Sequence, residues 1–132
     1  MSEDSKAMAH AGSHGMKVTL TGQIDAASLQ KTLEAIVLAI GKRVVARRGV
    51  IGHIKAIASC DLGFVKSSIV DLDLGPETTV KMQTGSTDHA EMNLMAVALK
   101  IDDDRMARVL KASLRTLPEG FHAEIEEHAH GH

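Results

Sequence analysis

From His122 to His132 a residue able to ligate a metal stands at every second position: His122, Glu124, Glu126, His128, His130 and His132. In extended backbone successive side chains alternate between two sides, so these share one side while Phe121, Ala123, Ile125, Glu127, Ala129 and Gly131 take the other. Imidazole and carboxylate groups suit zinc, nickel and copper, and such a run can gather about three or four ligands around one ion. The spacing therefore points to a transition metal, Ni2+ or Zn2+. His128, His130 and His132 are the expected primary ligands, supplemented by His122, Glu124 and Glu126. Imidazole must be neutral to coordinate, so affinity is expected to fall in acid. A solvated edge strand running into a polar terminus has the same composition, and histidines at this density also take up added metal without biological purpose.

A second set lies mid-chain. His53 and Lys55 share one side of an expected strand, and Asp71 and Asp73 share one side of the next. A register pairing even positions with even ones would bring His53, Lys55 and Asp71 together, a combination suited to general acid–base work or an anion site. Charged residues that merely wet an open sheet face give the same pattern. Asp88, His89 and Glu91 form a third, smaller group that can add metal ligands, or in which Asp88 simply turns or caps the chain. The sequence carries no P-loop, Gly-x-Ser-x-Gly, His-Glu-x-x-His or Cys-x-x-Cys pattern, so no catalytic role is assigned and a binding protein is favoured over an enzyme.

Composition narrows the classes further. The 132 residues suit one domain with a single core, and 44% hydrophobic content is ordinary for a globular chain. With no Trp, no Tyr and only Phe64 and Phe121 among the aromatics, the core must be aliphatic, and both stacking platforms for single-stranded nucleic acid and aromatic-lined small-molecule pockets are disfavoured. Residues 1–66 hold nine Lys/Arg against five Asp/Glu, and residues 67–132 six against twelve. This polarity favours self-association over binding to a polyanion. Lys42, Arg43, Arg47, Arg48 and Lys55 are the densest basic cluster, but on a helix the charges at 42–48 spread around the axis, so nucleic acid is not an expected partner. No apolar run is long enough for a membrane span, the first fifteen residues are polar and small, and Cys60 is the only cysteine; a cytoplasmic protein is the expectation.

The elements that must position these residues follow from periodicity. Residues 1–15 have none and are expected to form a flexible arm, followed by a single α+β domain over 16–127 and a His-rich tail over 128–132. Lys17 to Gln23 alternates as a strand. Asp25 offers an N-cap, and Leu29, Leu33, Ile36, Val37, Ile40 and Val44 recur at helical spacing as far as about Arg48, with Gly49 as the stop. Val50 to Ser59, Phe64 to Leu74 and Thr78 to Thr84 alternate as strands separated by turns at 60–63 and at Gly75-Pro76. Residues 89–101 admit either a strand or a helix capped by Asp88 with Glu91 reaching back; the turn at 85–88 and the Val97 to Ile101 ending favour the strand. Asp102 to Asp104 open a second helix with Met106, Val109, Leu110, Ser113, Leu114 and Leu117 as its buried stripe, and Pro118 to Gly120 ends it before a closing strand from Phe121 to Glu127.

The order β-α-β-β-β-β-α-β predicts a two-layer α+β sandwich, a mostly antiparallel sheet with two helices on one face, as a ferredoxin-like variant. The uncovered face is expected to carry Ile51, Ile57, Val65, Ile69 and Val97, which makes a homo-oligomer the expected state. Three functions are compatible with this plan: metal binding through the C-terminal segment for storage, delivery or sensing; a small enzyme or ligand-binding domain with its site on the sheet face or a subunit interface; and a structural or adaptor module.

Overall fold

The computed structural model of the chain describes residues 11–118 and 120–126. Its elements run β1 (Ala11–Ile24), α1 (Ala26–Ala46), β2 (Val50–Cys60), β3 (Gly63–Ile69), β4 (Glu77–Met82), β5 (Thr87–Leu99), α2 (Asp103–Leu114) and β6 (His122–Glu126). The strands form one six-stranded sheet in the order β4-β3-β2-β5-β1-β6, antiparallel at every junction. Because β5 is antiparallel to both β1 and β2, those two strands are parallel to each other, and α1 is the crossover that joins them over β5. By the same logic α2 joins the parallel pair β5 and β6 over β1. The fold is α+β with two layers.

Local chemistry fixes the helix ends. The Asp25 carboxylate accepts the Ser28 amide at 2.8 Å while the Ser28 hydroxyl accepts the Asp25 amide at 3.0 Å, satisfying two amides that the first turn of α1 would otherwise leave without partners. The helix closes where Arg48 adopts a left-handed φ of 63° and the Gly49 amide reaches back to the Val44 carbonyl at 2.9 Å. Asp102 caps α2 by accepting the Arg105 amide at 2.8 Å.

Leu29, Leu33, Ile36 and Ile40 of α1 and Met106, Val109 and Leu110 of α2 lie buried against Val18, Leu20, Ile54, Met92 and Leu94 of the sheet. Under the helices the central strands carry small residues, Ala56, Ala58, Ala90, Ala96 and Ala98, so backbone layers approach closely without a void. At the far edge β4 is tied to α1 by polar contacts: the Thr78 hydroxyl donates to Glu34 at 2.6 Å and lies 3.0 Å from the Ser67 hydroxyl. No helix among the described residues is long and apolar enough to cross a membrane.

Three expectations are corrected here. β1 starts at Ala11, so residues 11–15, expected in a flexible arm, belong to the sheet and pair with Met95 to Leu99. β3 ends at Ile69 rather than Leu74, and 72–74 form a turn in which Leu74 is largely exposed. Val65 and Ile69 are buried on the helix-covered face, and Ile51 also packs there, close to Gly41 of α1 beside Leu72. Of the apolar residues expected on the uncovered face, Ile57 and Val97 remain there, since they alternate with the buried Ala56, Ala58, Ala96 and Ala98.

Candidate functional site: the open sheet face

The face away from the helices is laid out in rows by strand register. One row reads Glu126, Lys17, Asn93, Ile57, Lys66 and Thr79 from β6 to β4. On one side of it lies the row Gly15, Met95, Lys55, Ser68 and Glu77, and on the other the row Glu124, Thr19, Glu91, Ser59, Phe64 and Lys81. The strands thus carry three chemically different zones from one end of the face to the other.

At one end Val50 pairs with Leu99, and Val97 lies between Ser13 and His53, forming an apolar zone in which Val50 is 47% exposed. At the opposite end His122, Thr21 and His89 form one row and Glu124, Thr19 and Glu91 the next. There the Thr19 hydroxyl shares its hydrogen between the two Glu91 oxygens, both at 3.3 Å, and the His89 ring lies 3.2 Å from Asp88. His122, Glu124 and Glu126 all project on the open side of β6 and are exposed, as an extended backbone dictates. As they stand, no three His, Cys, Asp or Glu side chains among the described residues are gathered as a metal-holding group. His128, His130 and His132 lie outside the described residues.

Between these ends begins a cleft of about 590 Å³ that wraps the edge of β1, lined on the helix-covered side by Met16, Ala107, Lys111 and Ile125. Its floor on the open face is Ile57, Asn93 and Met95, its cationic walls are Lys17 and Lys55, and Gly15, with no side chain, stands at its corner on β1. Among the described residues a β-carbon built at Gly15 would meet only the Leu94 carbonyl oxygen within 4 Å, at 3.9 Å, so no described side chain occupies the space above this backbone. Around the edge of β1 the cleft continues to His14 and to Lys111 of α2. Met95 is 49% exposed, a large apolar side chain left partly in water at the centre of a folded sheet.

His53 and Lys55 are exposed on the same side of β2, as expected. Asp71 and Asp73 are not opposite them. The β2–β3 register pairs Ile54 with Ile69 and Lys55 with Ser68, so even positions meet odd ones. Asp71 lies beyond the end of β3 in a tight turn, its carboxylate accepting the Asp73 amide at 2.8 Å and its carbonyl the Gly75 amide at 3.2 Å. Only Lys55 of the His53, Lys55 and Asp71 set lines the cleft. Gly15, Lys17, Asn93 and Met95 were not singled out from the sequence, although the alternation of Val18 and Leu20 extends backwards through Met16 and would have carried β1 to them.

No protein-family model matches this chain, and no curated protein or solved structure is significantly similar to it.

Proposed function

We propose that the protein is a small-molecule-binding domain whose site is the cleft that runs from the middle of the open sheet face around the edge of β1. The observation that carries this reading is the row Gly15, Met95 and Lys55, in which a missing side chain, an exposed apolar one and a cation stand side by side on three adjacent strands. The volume lies in the range of ligand sites, and an apolar floor with a few polar groups is what such sites share. We read the scaffold as a ferredoxin-like variant: two β-α-β crossovers, each spanning one strand, with the β3–β4 hairpin added at the β2 edge. Amide chemical-shift mapping against a fragment set of mixed charge tests the reading. Saturable shifts centred on Gly15, Lys17, Asn93 and Met95 support it, whereas hits scattered over the surface, or none, overturn it.

A second reading is favoured by the far end of the same face, where register sets His122 and Glu124 across β1 from His89 and Glu91. Strands lie about 4.8 Å apart, so side chains on β5 and β6 flank a position above β1 about 5 Å from each. Transition-metal binding there would draw on His122, Glu124 and Glu126, with His128, His130 and His132 following at the same spacing. It requires side chains to turn towards one another. Zinc and nickel titrations of the full chain and of H122A and H89A separate the cases: weaker binding in both variants supports a site across β1, and unchanged binding removes it.

The apolar end of the face, Val50, Val97 and Leu99, is the surface through which copies of the chain would associate. Light scattering of wild type and V50K over a dilution series reads this directly, with a larger mass for wild type expected.

A further inference from the structure

We propose that the ligand of the cleft is a small organic anion, a carboxylate carried on an apolar body; this rests on the cleft being a binding site. Lys17 and Lys55 stand two strands and one residue pair apart, a separation of about 12 Å between α-carbons at ordinary sheet spacings. A lysine ammonium reaches about 6 Å from its α-carbon along a flexible stem, so both can meet one carboxylate lying above the strand between them. That strand presents Asn93, paired with both Lys17 and Ile57, whose side-chain amide supplies a neutral donor at the same place.

Beside this polar group the floor turns apolar. Met95 follows Asn93 on the same side of β5, and Ile57 lies next to Asn93 on β2. Met95 is unbranched and adapts its shape to an apolar partner, and together with the open space above Gly15 it forms a berth for a short hydrocarbon body. Among the described lining residues on the open face the cations Lys17 and Lys55 outnumber the one carboxylate, Glu126, which stands opposite Lys17, so the charge of the site favours acids over amines.

Hexanoate, hexanamide and hexylamine share one hydrocarbon chain and differ only in the head group, so they separate the two levels of the argument. Titration of each into the full chain is followed at the Gly15, Lys17, Asn93 and Met95 amides. Hexanoate is expected to shift them saturably, with hexanamide about tenfold weaker and hexylamine weaker still, since a charge-assisted contact roughly doubles the strength of a neutral one. The double variant K17Q/K55Q, altered only at exposed positions, is expected to lose that preference while retaining hexanamide binding. Equal binding of hexanoate and hexanamide to wild type overturns the anion assignment and leaves the cleft as a neutral site. If no probe moves those amides, both the assignment and the binding site fall.

Discussion

Gly15 stands directly opposite Met95 in the β1–β5 ladder, and it places no side chain beside Met95, which is left half exposed. A strand gains little from glycine, which has more conformational freedom to lose and nothing to pack. G15V is therefore expected to match or slightly exceed the wild-type melting temperature, because among the described residues its β-carbon meets only the Leu94 carbonyl, at a relaxed 3.9 Å. A drop of several degrees would mean that the backbone, and not the ligand space, requires glycine there.

Gly12, three residues earlier on the same strand, gives the opposite expectation. A β-carbon there would sit 2.1 Å from the Ile101 carbonyl oxygen, where the chain leaving β5 crosses over β1 towards α2. Backbone cannot yield as a flexible side chain does, so G12A should cost at least about 1–3 kcal/mol in urea unfolding. The contrast between Gly12 and Gly15 checks the placement of both faces of β1.

Asp103 accepts the Ser13 amide at 2.8 Å, so a carboxylate from the first turn of α2 takes the place that a strand carbonyl would fill. D103A should raise hydrogen exchange at Ser13 by about tenfold or more while leaving Val18 and Leu20, buried at the centre of β1, protected. Uniform loss of protection along β1 would show that the contact holds the whole strand.

Acid should act on α1 through its cap. The Ser28 amide, helped by the Ser28 side chain, bonds to the Asp25 carboxylate and holds its pKa below the ordinary 3.8. A carboxyl with a lowered folded pKa adds stability above its unfolded value, and that contribution is lost as pH falls through the folded one. The difference in unfolding free energy between wild type and D25N should therefore be level at neutral pH and decline on acidification below about 4. A difference that stays constant throughout would separate the cap from the titration.

The helices could be read from sequence because their signals are local: an Asp at each N-cap, a three-and-four apolar stripe, and Gly49 after Arg48. A strand over 89–101 was expected on turn chemistry against the helix-forming Ala, Met, Glu and Leu content, and it runs over 87–99, where pairing on both sides by β1 and β2 explains why tertiary contacts win. What sequence did not reveal was relational. Residues 11–15 are Ala, Gly, Ser, His and Gly, with no intrinsic preference for a strand, and they are held by Met95 to Leu99, eighty or more positions away in the chain. The β2–β3 register likewise depends on where the 60–63 turn closes, which moved Asp71 off the sheet and left Lys55 beside Met95 and Ser68 instead. The cleft residues come from β1, β2, β5, β6 and α2, so only the tertiary arrangement of these elements could bring them together.

The most direct measurement is the affinity of hexanoate for wild type and G15V, read by titration calorimetry on samples shown to melt at the same temperature. If the cleft over Gly15 is the binding site, the valine occupies the space beside Met95 that the ligand body needs, and affinity falls by about tenfold or more. Equal affinity in the two proteins would place the ligand elsewhere and contradict the assignment of the open face.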